Sequence, residues 1–284
     1  MIKEWIAEYN PVNQQEAIAA LREIMQEVAL AGLQRSGFFE QAAFYGGTAL
    51  RILYGLDRYS EDLDFSLLEQ KKDFSLEPYL NAIKTEFAAL GMKVSISEKI
   101  KSKATKVDSA FLKSETIWKE LILEGVIPQN GLGAMPSLKI KIEVDTQPPL
   151  GFKTEEKLLL RPFSFYVKCF TAPDLFAGKM HALLFRKWKN RVKGRDWYDF
   201  EWYVRKGIPL HLAHFVERAI DSRDITEYSL TPDSFKQLLL QKINSVTIDQ
   251  IKVDINPFIK DSTKLNIWST QYFVDLVQKL KFTK

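Results

Sequence analysis

Two acids one residue apart, Asp62 and Asp64, follow a glycine-opened turn, Tyr45-Gly46-Gly47-Thr48-Ala49-Leu50-Arg51, with Arg58 and Ser60 in between. Leu63–Leu67 reads as a strand carrying the acid pair near its start. Alternation then sends Asp62 and Asp64 to one face, and Leu63 and Phe65 to the other. Two carboxylates held side by side repel each other unless a cation sits between them. All-oxygen ligands suit Mg2+, with Mn2+ as its substitute, and Mg2+ keeps positions open for substrate phosphates. Glycine lets backbone N–H groups approach an anion closely, and a helix N-terminus favours negative charge. Gly46, Gly47 and Thr48 are therefore the candidate phosphate cradle, with Arg58 and Ser60 beside it. A lone Asp-x-Asp is usually a surface feature, and Gly-Gly-Thr is often an ordinary turn with a threonine cap. Their combination at this spacing is what points to nucleotide chemistry.

Two later blocks carry further charge. Lys139-Ile140-Lys141-Ile142-Glu143-Val144-Asp145 alternates strictly, so Glu143 and Asp145 share the polar side of a strand. Such a strand either faces solvent or points its acids the way Asp62 and Asp64 point, which would complete a metal site. In the second block Lys179, Leu183 and Arg186 fall at i, i+4 and i+7 on one helix, and Asp196 and Asp199 at i and i+3 on the next. A short connection lets these helices lie antiparallel and brings Lys179 near Arg195 and Asp196. An exposed hairpin with internal salt bridges is the plainer reading. From Lys179 to Arg195 the chain holds seven basic residues and no acid. Trp188 and Trp197 lie within or beside that run, and stacking surfaces next to positive charge suit single-stranded nucleic acid.

Together these residues resemble the nucleotidyltransferase superfamily, whose first motif is Gly-[Gly/Ser]-[Ser/Thr] followed by Asp-x-Asp. Within it, GGTALRILYGL and RYSEDLDF look like the AbiEii/AbiGii toxin type. Phe176-Ala177-Gly178-Lys179, with Lys193-Gly194-Arg195-Asp196-Trp197-Tyr198-Asp199, is similar to that family's Leu-Ala-x-Lys…Lys-x-Arg-Asp-x-x-Asp pattern. The resemblance covers most of the chain, down to the Asn256-Pro257-Phe258 turn. It implies an α+β fold: a nucleotidyltransferase-like mixed β-sheet with flanking helices, followed by a C-terminal helical domain. It also implies a third metal-binding acid on a later strand, with Glu143 ahead of Asp145, although the sequence does not separate them. Asp62, Asp64, Lys179 and Asp196 become the expected catalytic residues, with Lys179 on the NTP triphosphate and Arg195-Asp196 in the active cleft. The implied reaction transfers NMP from an NTP to an acceptor hydroxyl on RNA, such as a tRNA end. The implied role is a toxin countered by a separately encoded antitoxin. The rival readings are transfer to a small molecule or protein, and a catalytically silent RNA- or nucleotide-binding module.

The elements needed to position these residues follow from periodicity. Residues 13–35 read as an amphipathic helix, Ala42–Tyr45 as a short strand and Thr48–Leu56 as a helix. Glu77–Leu90 is a further helix stopped at Gly91. Strands are expected at Lys93–Ile100, Ala104–Leu112 and Ser137–Val144, a loop over 113–136, and an extended segment over 159–170. Helices then dominate, starting at Thr171-Ala172-Pro173-Asp174; His211–Asp221, Asp233–Val246 and Asn266–Leu280 are among them. The expected domains are 1–170 and 171–284.

At 284 residues the chain has ample length for a core, and its 46% apolar and 27% charged content is that of a globular protein. The net charge of +4 is too small to argue for a nucleic-acid partner by itself. One cysteine, Cys169, excludes an intramolecular disulfide and a cysteine-rich zinc site. No apolar run reaches the roughly 18 residues needed to cross a bilayer, and MIKEWIAEYN lacks a secretory apolar core. A cytoplasmic protein with no membrane partner is the expectation. His211-x-x-His214 lacks a third ligand and reads as helix surface. Gly131-Leu132-Gly133 falls short of a dinucleotide fingerprint.

Overall fold

The computed structural model describes residues 1–97, 116–124, 138–186, 192–226 and 229–283. The chain divides into two units. The first contains residues 1–53, 60–148 and 154–169; the second contains 54–59, 149–153 and 170–284.

The first unit is built around the long helix α2 (Gln14–Arg35), preceded by the short α1 (Ile2–Glu8). Asn13 caps α2 by accepting the Glu16 N–H at 2.9 Å. Leu21, Ile24, Met25 and Val28 are buried along it, as helical spacing demands. Gly32 lets α2 press against α4 (Glu77–Ala89): a Cβ there would meet the Ile83 Cα at 2.6 Å.

Among the described residues, seven strands form one sheet: β1 (Ala42–Tyr45), β2 (Leu63–Leu67), β3 (Lys93–Ser97), β4 (Thr116–Glu124), β5 (Leu138–Asp145), β6 (Thr154–Leu159) and β7 (Phe165–Phe170). Their order is β3-β4-β5-β2-β1-β7-β6. β1 runs antiparallel to β2 and parallel to β7, while β2 runs parallel to β5, so the sheet is mixed as expected. Ile140, Ile142 and Val144 are fully buried and the charged residues between them are not, which matches the strict alternation of β5. Phe38, Phe44 and Phe65 fill the space over the central strands, with Phe38 edge-on to Phe65 at 5.0 Å.

Several expectations need correcting. Part of the span read as a loop, 113–136, is strand β4, which pairs antiparallel with β5 over eight residue pairs. The extended segment at 159–170 is the end of β6, a turn and then β7. β3 accounts for Lys93–Ser97; the rest of that expected strand, the strand at Ala104–Leu112 and Gly131-Leu132-Gly133 lie outside the described residues.

The second unit consists of α5 (Ala172–Phe185), α6 (Gly194–Lys206), α7 (Leu212–Asp221), α8 (Pro232–Asn244), α9 (Ile248–Ile255) and α10 (Thr270–Gln278), with a small β8/β9 pair (Leu210–His211 and Phe282–Thr283). Phe176 on α5 stacks on Tyr203 of α6 at 4.2 Å. Trp268 and Tyr272 donate to the two Glu201 oxygens at 2.8 and 2.7 Å, satisfying a carboxylate in a largely apolar setting. Gly194 opens α6 against the backbone of α9, where a Cβ would lie 2.8 Å from the Ile255 nitrogen.

Glu27 of α2 meets Arg161 at 2.8 Å, and Arg161 also donates to the Tyr9 hydroxyl at 2.9 Å. Burial pushes the Glu27 carboxyl up to about 7 despite Arg161. The folded state therefore holds this proton more tightly than the unfolded chain, whose value is near 4.5, so Glu27 makes stability fall as pH rises from 4.5 to 7. Urea titrations should show that Glu27→Gln removes on the order of 3 kcal/mol of this decline over that interval; an unchanged pH slope contradicts the assignment.

Candidate functional site

In the first unit the site begins where β1 runs straight into α3 (Gly46–Tyr54). Gly46 makes that turn at φ +83°, a backbone conformation that glycine adopts without penalty. The turn lies directly against an acid: a Cβ on Gly46 would be 3.0 Å from both Cβ and Cγ of Asp64 and closer still to its carboxylate. Tyr45 pairs with Asp64 in the sheet, so register sets this contact. The first N–H groups of α3 have no intrahelical acceptor and carry the positive end of the helix dipole.

Thr48 and Ser60 have a different position from the one expected. Thr48 is fully buried; its hydroxyl lies 2.9 Å from the Ser60 hydroxyl and bonds to the Asp62 carbonyl. Both hydroxyls fasten the segment that carries the acid pair. Gln26, buried on α2, holds the same segment by donating to the Glu61 carbonyl at 2.9 Å, and Arg22 pairs with Glu61 at 3.1 Å. Sequence reading missed Gln26; a glutamine within the apolar stripe of α2 was the available signal.

Asp62 is exposed and Asp64 half-buried. Across the β2–β5 pairing, Asp64 stands opposite Glu143 and Ser66 opposite Asp145. Paired residues in a parallel ladder project to the same face, so register distinguishes the two candidate acids: Glu143 is the neighbour of Asp64. Asp145 accepts the Gln147 N–H at 3.1 Å. The Glu143 carboxylate is bonded to Lys141. Among the described residues, no three His, Cys, Asp or Glu side chains converge at metal-binding range. Asp62 and Asp64 supply hard oxygen donors beside a glycine with no side chain, a set that fits a divalent cation still carrying water or phosphate.

The second unit holds a separate charge cluster. Arg58 donates through Nε and Nη2 to the two Asp199 oxygens at 2.6 and 2.7 Å, and through Nη1 to the Tyr59 carbonyl. Lys179 of α5 reaches Asp199 at 2.8 Å and Asp196 at 3.7 Å. Asp199 is wholly buried and Arg58 nearly so. Burial alone would raise the Asp199 carboxyl, but Arg58 and Lys179 hold it below the usual range. Burial likewise disfavours the charged guanidinium, yet Asp199 keeps Arg58 above its ordinary value. Arg58, expected near phosphates, is thus engaged internally. Arg195, expected on the nucleotide, lies over the Phe258 ring at 4.1 Å. The predicted approach of Lys179 and Asp196 is present, and Asp199 is the nearer partner.

The aromatic residues near the basic run also differ from expectation. Trp197 is buried edge-on to Phe273 at 5.1 Å, so it offers no stacking face. Lys187, Trp188, Lys189 and Arg191 lie outside the described residues. His211 and His214 are buried rather than on a helix surface; His211 meets Asp174 at 2.6 Å, and His214 packs edge-on to Phe152 and Phe170.

The family model described as "Nucleotidyl transferase AbiEii toxin, Type IV TA system" matches residues 28–276. A search of curated proteins gave no match. Among solved structures, the fold is similar to MenT4, a nucleotidyltransferase toxin from Mycobacterium tuberculosis H37Rv, with TM-score 0.57, 14% identity and coverage of 98% of this chain and 99% of that one. It is also similar to JHP933 from Helicobacter pylori, with TM-score 0.53, 14% identity and coverage of 94% and 92%. With most of its length matched by the family model, this chain belongs to the AbiEii family of nucleotidyltransferase toxins.

Proposed function

We propose that this nucleotidyltransferase moves NMP from an NTP to a hydroxyl of an RNA acceptor, a tRNA end in particular, using Mg2+ held by Asp62 and Asp64. The observation that carries the reading is the Gly46–Asp64 contact, which brings a helix N-terminus and a carboxylate of the acid pair to one point. Glu143, now bonded to Lys141, would be the third metal ligand beside Asp62 and Asp64, while Asp145 accepts the Gln147 N–H in the loop that follows β5. Bound metal would lower the pKa of the acceptor hydroxyl and neutralise charge on the departing pyrophosphate.

The protein's own groups position the reactants, which is most of what phosphoryl chemistry asks. The N–H groups of Gly46 and Gly47 donate to phosphate oxygens, while Thr48 and Ser60 keep the acid-bearing segment at a fixed distance from them. Lys179 contributes positive charge to the triphosphate, and Asp199 holds its ammonium in place. Asp196 lies on the other side of that ammonium. Arg58 is a positioning residue that acts through Asp199. The family's toxin role, with a separately encoded antitoxin as partner and the cytoplasm as setting, completes the proposal. No helix among the described residues is long and apolar enough to cross a membrane.

Incubation with α-labelled NTPs, total RNA and Mg2+ should label RNA. Asp62→Ala with Asp64→Ala should reduce labelling by at least about a thousandfold, the scale on which electrostatic stabilisation acts, with an unchanged melting curve; full labelling by that variant refutes the mechanism. Gly46→Ala forces the Asp64 carboxylate to move and should cost on the order of a hundredfold in kcat. Wild-type kcat in the alanine variant means that the contact does not position the acid. Arg58→Lys keeps the charge but not the two-pronged bond to Asp199. It should raise KM for NTP several-fold through a displaced Lys179, and the shift should vanish in a Lys179→Ala background; the same shift in that background would leave Arg58 a purely structural residue.

A further inference from the structure

Arg22, Glu23 and Gln26 of α2 reach toward the candidate site of the first unit. Their spacing, i, i+1 and i+4, puts them on one side of the helix. Arg22 and Gln26 hold the segment before β2, at the Glu61 carboxylate and the Glu61 carbonyl. Glu23 turns instead to α3: its Oε2 accepts from Arg51 Nε at 2.7 Å. Its Oε1 accepts from the Tyr9 hydroxyl at 3.1 Å. Burial and the Glu23 carboxylate hold that hydroxyl above its ordinary value, so it stays a donor.

The Glu23 and Arg51 side chains are 13% and 16% exposed, so theirs is not the solvated kind of ion pair that contributes little. Arg51 lies in the last turn of α3, where the helix dipole favours a cation. The dipole explains a positive charge there but not a bond to a neighbouring helix. The other end of α3 is what needs that bond. Its first two residues are Gly46 and Gly47, which have no side chains to fix the direction of their own N–H groups. α3 is held instead by Thr48 and Arg51, three residues apart on one face. Thr48 ties it to the Asp62 carbonyl, Arg51 ties it to α2, and Gln26 ties α2 back to Glu61. The three pieces close into a triangle with one link on each side.

We propose that Glu23 and Arg51 are positioning residues for the NTP: their ion pair sets the direction of α3 and so aims the Gly46 and Gly47 N–H groups at the triphosphate. The inference rests on those N–H groups being the phosphate cradle. Such donors hold phosphate in the ground state and the transition state alike, so a misaligned cradle weakens NTP binding and leaves kcat in place. Asp62 and Asp64 keep their positions, because Thr48, Gln26 and Arg22 hold their segment without Glu23.

The test compares Glu23→Gln with Glu86→Gln. Glu86 of α4 pairs with Arg35 of α2 at 2.5 Å, so its loss removes an ion pair of the same helix that does not involve α3. Mant-labelled NTPs with Mg2+ report affinity, and a melting curve is recorded for each variant. Glu23→Gln keeps an oxygen for Tyr9 and should bind NTP on the order of tenfold more weakly, the scale of one hydrogen bond to a charged group. Arg51→Gln and the double variant should show the same loss, since all three break one link. Arg51→Lys, which retains the charge, should recover part of the affinity lost in Arg51→Gln. Glu86→Gln should bind as wild type does, and at saturating NTP the kcat of Glu23→Gln for transfer to RNA should equal that of wild type. Wild-type affinity in Glu23→Gln overturns the proposal. An equal loss in Glu86→Gln overturns it too, as do additive losses in the double variant or a fall in kcat with affinity intact. If wild-type protein binds NTP but labels no RNA, only the acceptor reading is lost, and the affinities still decide this one. If wild-type protein binds no NTP, the nucleotide reading falls and takes this inference with it.

Discussion

Asp199 is a carboxylate with no access to water, and the second unit's chemistry depends on how it is compensated. Burying an ion costs several kcal/mol unless its oxygens are fully engaged, and removing one partner of a buried pair costs about 3–5 kcal/mol. Here the planar guanidinium of Arg58 takes both oxygens, and the Lys179 ammonium takes one of them again. Two cations on one carboxylate leave a surplus of positive charge, and Asp196 meets it from the next turn of α6. The cluster thus holds the Lys179 ammonium in a fixed position, which a flexible surface lysine would not keep. Arg58 contributes geometry more than charge, since a lysine at that position could not grip both oxygens.

In the first unit the corresponding constraint is steric. Gly46 and Asp64 approach so closely that any side chain at position 46 would displace the acid. Thr48, Ser60 and Gln26 then fasten the segment between α3 and β2 from within. Polar residues inside the fold thus hold acids that are themselves partly exposed, an arrangement suited to hard cations and to phosphate ligands arriving from solvent.

Where pattern and environment agree, the sequence was readable. The apolar stripe of α2, the strict alternation of β5 and the glycine turn before α3 depend on local spacing, and spacing is visible without coordinates. The short connection between the Lys179 and Asp196 helices likewise brought those two residues near each other in the sequence reading, as the structure has them. What was not readable depended on partners distant in sequence. Arg58 looks like a phosphate ligand until Asp199 is found against it, 141 residues further on. Trp197 looks like a stacking platform until Phe273 is seen to cover it. The alternation of Thr116–Glu124 is weak, and its pairing with β3 and β5 is what makes it a strand. Glu143 and Asp145 are indistinguishable by alternation, because both fall on the same face; the β2–β5 register separates them.

The central claim is that Asp62 and Asp64 hold the divalent ion on which NTP binding depends. Crystals grown with Mn2+ and a non-hydrolysable NTP analogue test it most directly, because manganese can be located by its anomalous scattering. The account predicts a manganese peak bounded by Asp62 and Asp64, with Glu143 turned toward it and phosphate oxygens on the Gly46 and Gly47 N–H groups. A manganese peak elsewhere on the chain, with the triphosphate bound away from both aspartates, would contradict it.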